Sequence, residues 1–531
     1  MNEGWKEGFE ACGGAWPRAD SPFEPWKPGE VVREAVASTP EHPGVWLANI
    51  GLAWANVDHF VNVASAFVLA AGMACKANKE AFASAKRAKP LLALPAVGTR
   101  DGGGQDLAGR VLRRLLPELR KAAEDNGVDV ALVCIDPGTY AAAQRVRTEL
   151  DGNAWAELGD QGVALADRLA GHARDGRLVL FLGAGASVGA GLPAWHELLE
   201  ELRDTTFSDI DKDSFSRLSH LDQATLLDRR IQAGRRAAVT NGAPAPERIA
   251  DLVRRQFDKS RSSLVHQLLA GLPVDEVVTT NYDKLFEVAS KGAGRPVSVL
   301  PRDPDPAARR WLLKMHGCID HLEDIVLTRE DYLRYEQHRA ALAGIVQALL
   351  ITKHMLFVGF SLNDDNFHRI VDAVRRALGP QEGQDGKFGT VVFVTDEPLV
   401  RELWLEDLQT HSLQTLGSGE VPIGSVGDAA ARVAVAARRL EILLDCLGSK
   451  TVPPSHLGKA EFDDALTPRE LRLRDALAGV LADFRADTDE RDAETLRLVQ
   501  NLAGQLGMSR PAVVATGKGP EVVGRRPCAA T

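Results

Sequence analysis

The strongest chemical signal in the sequence is a glycine-rich turn in the segment LVLFLGAGASVGAGLPAWHEL. The apolar run 178–182 predicts a buried strand, and a helix is expected to begin near Trp195. Gly183, Gly185 and Gly189 stand between them. Because glycine has no Cβ, such a turn lets the backbone approach a pyrophosphate, and the N-terminus of the following helix favours its negative charge. A tight turn without a ligand is the alternative.

Polar residues follow three further predicted strands at the point where each strand ends. These residues are TTNYD (279–283), KMHG (314–317) and GFSLND (359–364). Ligands of open α/β sheets bind at the carboxyl edge of the strands, so four such segments predict one site. A single Asn, His or Ser of this kind would more often be a cap or a satisfied core group.

Together the motifs GAGAS…GLP, TTNYD, KMHG and GFSLND resemble the sirtuin fold. More closely they resemble the sirtuin-like NADase domains of bacterial anti-phage defence proteins, over roughly residues 175–415. The resemblance implies NAD⁺ as the substrate, with Asn281 and Asp283 in the nicotinamide pocket and His316 as the catalytic histidine beside the ribose hydroxyls. It further implies NAD⁺ contacts from Gly183, Ala184, Gly185, Ser187, Thr280, Gly359, Ser361 and Asn363.

The residue types suit the cleavage of a nicotinamide–ribose bond. That reaction passes through an oxocarbenium-like state, as glycoside hydrolysis does. The amide of Asn281 can orient an attacking water without adding charge. His316, with an ordinary pKa of about 6.5, can accept a proton from a hydroxyl at neutral pH. A cap or turn-stabilising role remains the alternative for His316 and Asp283.

The sequence departs from the deacylase sirtuins at three points. Those enzymes carry a four-cysteine zinc module, whereas Cys318 alone lies between Ser187 and Cys446 here, so no metal is expected. Residues 194–196 read Ala-Trp-His where deacylases usually have acidic, aromatic and basic residues. Thr280 replaces the usual Gln. These differences favour water over an acyl-lysine as the acceptor.

The strands and helices predicted around these residues indicate an α/β chain with several domains. We expect a central Rossmann-like parallel sheet of sirtuin type with a helical insertion between residues 207 and 257. A smaller α/β domain precedes it, and a short helical C-terminal region follows. The expected divisions are an arm (1–40), the smaller α/β domain (41–152), a linker helix (153–174), the sirtuin-like domain (175–448), the helical region (449–512) and a disordered tail (513–531).

The smaller α/β domain contains a second glycine loop, in KPLLALPAVGTRDGGGQDLAG. It faintly resembles the macro domains that bind ADP-ribose. The residues that could hold a phosphate there are Gly98, Thr99, Gly102, Gly103 and Gly104, with a surface turn as the alternative. We interpret this domain as the candidate sensor. The arginines of the helix at 107–124 are most simply a solvated face, with an anionic ligand or nucleic acid as the minority interpretation.

Composition narrows the class of protein. The 531 residues carry a formal net charge of −10, which argues against a protein built mainly to hold duplex DNA. Six cysteines without a C-x-x-C pair exclude a cysteine-rich zinc ribbon and a disulfide framework, and they favour the cytoplasm. The apolar stretch 59–75 is expected to be a buried helix rather than a membrane span.

The sequence thus predicts an NAD⁺ glycohydrolase that acts as an anti-phage effector through NAD⁺ depletion and abortive infection. An unregulated enzyme of this kind would kill its host. We therefore expect control by a nucleotide-like or phage-derived trigger, and a homo-oligomer. An NAD-dependent protein deacylase, a non-catalytic nucleotide sensor or scaffold, and NAD⁺ cyclisation remain the alternatives.

Overall fold

The computed structural model describes eleven stretches of the chain. They are residues 26–39, 43–50, 56–78, 87–99, 105–150, 154–242, 244–379, 387–395, 397–416, 429–486 and 493–508. The strands are β1 (Val32–Val36), β2 (Val45–Ala48), β3 (Leu91–Pro95), β4 (Asp129–Val133), β5 (Leu178–Leu182), β6 (Glu276–Thr279), β7 (Val297–Leu300), β8 (Arg310–Lys314), β9 (His354–Val358), β10 (Gly389–Phe393) and β11 (Leu408–Ser412).

Helices connect and cover these strands. They are α1 (Val57–Ala77), α2 (Ala108–Asn126), α3 (Pro137–Leu150), α4 (Gly159–Arg174), α5 (Trp195–Thr206), α6 (Lys212–Ser216), α7 (His220–Asn241), α8 (Ile249–Phe257), α9 (Leu264–Gly271), α10 (Leu285–Gly292), α11 (Arg329–Thr352), α12 (Asp365–Leu378), α13 (Pro398–Leu403), α14 (Ala429–Thr451), α15 (Pro468–Ala486) and α16 (Ala493–Gln505).

The centre of the protein is a parallel sheet of seven strands in the order β11-β10-β9-β5-β6-β8-β7. From β5 the chain builds β6, β7 and β8 on one side and then crosses to β9 on the other. The strand order therefore reverses at β5, and in open α/β sheets ligands bind at the carboxyl ends of the strands beside such a reversal. The α/β class and the central sheet predicted from the sequence are confirmed.

Both faces of the sheet are covered, which explains why its inner strands are apolar throughout. On β9, Leu356 and Val358 pack into a core with helices α4, α9 and α14. Met355 and Phe357 face the opposite side and pack with α11 and α12. The edge strands β7 and β11 were not predicted. β11 reads LQTHS and is only partly buried in its middle, so it lacks the apolar signal of an inner strand.

The predicted helical insertion is present as α6, α7 and α8. With α5 it encloses a separate apolar cluster that includes Leu198, Leu227 and Val253. Tyr282, from the loop after β6, packs into the same cluster. The insertion therefore packs against the loop that carries the TTNYD motif and stabilises it.

The described residues before α4, called the N-terminal part below, contain two small sheets. β3 pairs with β4 in parallel, and β1 pairs with β2 antiparallel. β1 lies in the segment expected to be an arm, where no strand was predicted. The arginines of α2 pair with carboxylates of this protein, such as the exposed Arg114 with Asp58 and the half-buried Arg113 with Glu149.

Helix α1 is the apolar helix expected to be buried. At 21 residues it is longer than the sequence indicated, and by length and composition alone it is sufficient to cross a bilayer. A single helix of this kind is weak evidence for a membrane span, because core helices share these properties. Phe60, Val68 and Ala71 of α1 are buried in a cluster with Leu115 of α2.

The segment after α14 returns to the N-terminal part. A short helix, Ala460–Ala465, places Phe462 and Ala465 against Ala108 and Leu112 of α2. Gly109 permits this approach, because a Cβ there would lie 2.9 Å from the backbone nitrogen of Ala465. The sequence did not predict this packing between distant segments.

Candidate functional site

The carboxyl edge of β5, β6, β8 and β9 brings the four predicted motifs together. The glycine turn after β5 lies against the turn after β9, and the backbone N–H of Gly185 donates to the carbonyl of Gly359 across 2.9 Å. A Cβ on Gly185 would lie 2.8 Å from Cα of Gly359. Gly359 itself has a φ of +66°. These two glycines are therefore required by backbone packing, before any ligand is considered.

Ser187 is the centre of a buried hydrogen-bond network. Its hydroxyl donates to Oδ2 of Asp283 across 2.9 Å. It accepts from Nδ2 of Asn281 at 3.2 Å and lies 3.3 Å from Nε2 of His266. One donated and two accepted bonds satisfy a hydroxyl completely. The side chain is 1% exposed, so the hydroxyl at the centre of the network is shielded from water.

His266 was not among the predicted site residues. It lies on α9, and its Nδ1 accepts from the backbone N–H of Ser263 at 3.3 Å. The proton must then be on Nε2, which donates to Ser187. Burial lowers the pKa of His266, so the ring is neutral although the charge of Asp283 opposes this shift. The segment SSLVHQLL carries no local signal for such a role, because its partner lies 79 residues away.

Asn281 is held in one orientation by its amide nitrogen. Nδ2 donates to the carbonyl of Gly183 at 3.1 Å as well as to Ser187. Both amide hydrogens are therefore used within the protein. Oδ1 has no hydrogen-bond partner among the side chains and backbone that the structure describes, so it is free to accept a hydrogen bond from water.

Asp283 is fully engaged within the protein. Its Oδ1 accepts from the backbone N–H of Leu285 at 2.9 Å, and Oδ2 accepts from Ser187. The backbone carbonyl of Asp283 accepts from the buried ammonium of Lys314, which also pairs with Glu287 at 2.8 Å. Burial raises the pKa of Glu287, and the ammonium opposes that shift. Lys314 belongs to the predicted KMHG motif but was given no role of its own, and Glu287 was not predicted. Together they hold the TTNYD loop in place.

His316 follows β8 and is 4% exposed. Its ring packs against Tyr332 and Tyr335 of α11, with centroid distances of 5.4 and 5.9 Å. Nε2 lies 3.5 Å from Oδ2 of Asp364 and has no hydrogen-bond partner in the described structure. Burial lowers the pKa of His316, and the charge of Asp364 opposes that shift. His316 is thus at the same sheet edge but outside the Ser187 network.

The remaining residues predicted to contact NAD⁺ lie at the same edge of the sheet. Ser361 and Asn363 are exposed and interact with each other through a 3.4 Å hydrogen bond. Thr280 is half-buried and is fixed by its backbone N–H on the carbonyl of Leu182. Ala184 is also half-buried in the glycine turn. These positions follow the strands at the carboxyl edge of the sheet, and their contact with a ligand stays a prediction.

The second glycine loop is described only at its start. Gly98 has a φ of +78°, and a Cβ there would lie 2.4 Å from the ring of Phe60. The hydroxyl of Thr99 donates to the carbonyl of Ala96 at 2.6 Å. Both residues therefore have structural roles. Gly102, Gly103 and Gly104 lie outside the described residues.

No group of three or more His, Cys, Asp or Glu side chains that could hold a metal ion occurs within the described ranges.

Comparison with known proteins gives the same region of the chain. Residues 275–413 match the family of SIR2-like domains. Defense-associated sirtuin 2 of Bacillus subtilis is 28% identical over 232 residues, which is 42% of this chain and 21% of that protein. NAD(+) hydrolase ThsA of Enterococcus faecium is 30% identical over 210 residues, 38% of this chain and 41% of that protein. ThsA of Bacillus cereus (strain MSX-D12) is 30% identical over 203 residues, 37% and 40%. This chain therefore spans less than half the length of these relatives.

Proposed function

We propose that this protein hydrolyses NAD⁺ to nicotinamide and ADP-ribose, and that it acts in the cytoplasm as an anti-phage effector that depletes NAD⁺ and causes abortive infection. The observation that carries the proposal is Asn281, whose amide nitrogen is fixed on Gly183 and Ser187 while Oδ1 is left to bind water. The names of the relatives, NAD(+) hydrolase and defense-associated sirtuin, support the same activity.

Each of these residues has a separate role in the proposed reaction. Oδ1 of Asn281 orients the attacking water toward the ribose carbon as the nicotinamide bond breaks. His316, neutral at physiological pH because it is buried, accepts a proton from a ribose hydroxyl, and that hydroxyl oxygen takes the proton that the water loses when it attacks. Asp283 positions Ser187, since both of its carboxylate oxygens are already used. The glycine turn and the segment 359–363 receive the pyrophosphate and the adenosine half.

We further propose that the N-terminal part restrains this activity through α14. Asp445 of α14 accepts from Gln144 at 3.0 Å and from Trp155 at 3.1 Å, and it pairs with Arg147. Seven positions earlier, Arg438 binds Asp129 of β4. The charged face of α14 is thus clamped to the N-terminal part.

The opposite face of α14 leads toward the site. Leu443 and Leu447 pack in the same apolar core as Val265 and Leu269 of α9, the helix that carries His266. A trigger that displaces the N-terminal part would therefore act on the hydrogen-bond partner of Ser187. A nucleotide-like or phage-derived trigger, and assembly into a homo-oligomer, are the proposed signals.

The decisive experiment is incubation of the purified protein with NAD⁺, with chromatographic separation of nicotinamide, ADP-ribose and cyclic ADP-ribose. We expect nicotinamide and ADP-ribose in equal amounts. Cyclic product in place of ADP-ribose would make the protein a cyclase. Nicotinamide release that depends on an acylated peptide would make it a deacylase. No turnover with or without the trigger, together with NAD⁺ binding, would leave a nucleotide sensor.

A further inference from the structure

A buried carboxylate lies close to one ring nitrogen of His316. Oδ2 of Asp364 is 3.5 Å from Nε2 of His316, and the same oxygen accepts a hydrogen bond from the hydroxyl of Tyr332 at 2.8 Å. Tyr332 also packs its ring edge-on against His316. Asp364, Tyr332 and His316 thus form a buried cluster that comes from three separate segments of the chain.

We propose that Asp364, held in place by Tyr332, is a positioning residue that fixes the ring orientation and the tautomer of His316 for proton transfer. This inference rests on the proposed function, in which His316 accepts a proton from the ribose.

Asp364 also caps a helix, but that role does not explain why its second carboxylate oxygen points toward His316. It is the N-cap of α12, where Oδ1 accepts from the backbone N–H of Phe367 at 2.8 Å. A cap needs only one oxygen. The second oxygen is turned inward, where a tyrosine hydroxyl and an imidazole nitrogen converge on it. Burying a carboxylate without partners is energetically costly. The hydrogen bond from Tyr332 and the nearby imidazole of His316 therefore stabilise this inward orientation.

The consequence for His316 follows from the chemistry of imidazole. A carboxylate accepts hydrogen bonds and cannot donate them when ionised, so it selects the tautomer with the proton on Nε2. Nδ1 then carries the lone pair that accepts the substrate proton. After transfer, the carboxylate stabilises the imidazolium. The 3.5 Å separation needs to shorten by about 0.5 Å for a strong hydrogen bond, and catalytic hydrogen bonds often tighten in this way when substrate binds.

Other charged and titratable groups also face His316. Helix α11 contributes Arg339, which lowers the pKa of His316, as well as Tyr332 and Tyr335. Arg339 lies 3.8 Å from Asp324, which offsets part of its charge. Asp364 therefore remains the anion that favours a protonated His316, and its removal lowers the pKa of His316 further.

The test is Asp364→Asn in the full-length protein. Asparagine is as good an N-cap as aspartate, so α12 is retained. Its amide group, however, offers a donor to Nε2 and selects the other tautomer. We expect kcat for nicotinamide release to fall about 10- to 1000-fold, with KM for NAD⁺ changed less than threefold. The loss should be smaller than the roughly 10⁴-fold cost of removing the orienting carboxylate from a comparable triad, because the 3.5 Å separation of His316 and Asp364 is longer than a hydrogen bond. The acidic limb of the pH–rate profile should move to lower pH.

Tyr332→Phe is the second variant, because it leaves the cap and the ring intact and removes only the hydrogen bond to Asp364. We expect a smaller loss of kcat, about 3- to 10-fold, again without a matching change in KM. Asp211→Asn is the matched control. Asp211 caps α6 through Ser214 at 2.8 Å at an exposed position and should leave the rate unchanged.

A readout without turnover separates this inference from the proposed function. In protein with ¹⁵N-labelled histidine, the ring nitrogens of His316, assigned by their loss in His316→Ala, should report the Nε2–H tautomer in the wild type and a different one in Asp364→Asn. An unchanged tautomer and a kcat within twofold of the wild type would overturn the role of Asp364. A wild type that is inactive both with and without the trigger, but shows the expected tautomer change in Asp364→Asn, would instead refute the NADase activity and leave the positioning intact.

Discussion

The hydroxyl of Ser187 donates to the carboxylate of Asp283 across 2.9 Å, although 96 residues separate them in the chain. This bond joins the glycine turn after β5 to the loop after β6. Because Asn281 donates to the same hydroxyl, the position of the proposed water-binding amide depends on Ser187. The glycine turn therefore also fixes the position of the amide that we propose binds water.

Asn281→Ala should abolish nicotinamide release. The variant loses Oδ1 and with it the proposed orientation of water, and positioning or acid–base groups typically contribute about 10²–10⁴-fold. It also loses two hydrogen bonds to the glycine turn, so the thermal midpoint and NAD⁺ affinity must be measured beside the rate. Activity above about a tenth of the wild-type value, in a folded variant, would remove Asn281 from the mechanism.

Ser187→Ala should lower both stability and activity. It removes one hydrogen bond from each of Asp283, Asn281 and His266, and a buried polar atom left unsatisfied in this way costs about 1–3 kcal/mol. Thermal unfolding and calorimetry with NAD⁺ would measure the two effects. Ser216→Ala is the control, because Ser216 is exposed and bonds only to the carbonyl of Asp213. A midpoint equal to that of the control would contradict the network.

Gly185→Ala should weaken NAD⁺ binding and destabilise the fold. The new Cβ would lie 2.8 Å from Cα of Gly359, so one of the two turns must move. Gly171→Ala is the matched control in α4, where a Cβ meets nothing within 4 Å, and it should be neutral or stabilise by about 0.5–1 kcal/mol. If calorimetry finds undiminished NAD⁺ affinity in Gly185→Ala, the turn is purely structural.

Asp445→Asn should raise the basal NADase rate. Loss of this charge weakens the clamp on Arg147, Gln144 and Trp155, and coupling between sites is typically worth about 5- to 150-fold. Steady-state rates without trigger would show the effect. Asp372→Asn removes a comparable carboxylate from an exposed ion pair with Arg376 and should change nothing. Equal rates in both variants and the wild type would argue against restraint through α14.

His354→Gln should make the protein less sensitive to acid. Burial lowers the pKa of His354 to about 3, whereas the unfolded chain binds that proton near pH 6.5. The unfolded state therefore gains a proton first, and stability falls as the pH drops from about 6.5 toward 3. Denaturant midpoints at pH 7.5 and 4.5 should differ less in His354→Gln than in the wild type. The exposed His338→Gln should behave as the wild type, and identical losses in all three would refute the prediction.

The sequence by itself determined the class of fold and the sheet edge at which the candidate site lies. The run 178–182 is apolar throughout because its strand is buried on both faces, and that pattern is local. The polar residues after β6, β8 and β9 follow their strands directly, so parallel pairing alone brings Asn281, His316 and Gly359 to one edge.

Only the tertiary structure decided which side chains act together. His266 reaches Ser187 from α9, and Tyr332 reaches Asp364 from α11, through contacts that no short motif encodes. The same holds for Asp445, whose partners lie about 300 residues earlier in the chain. Hydrogen bonding of this kind depends on where packed helices bring their side chains, and that packing is set by the whole apolar core rather than by local sequence.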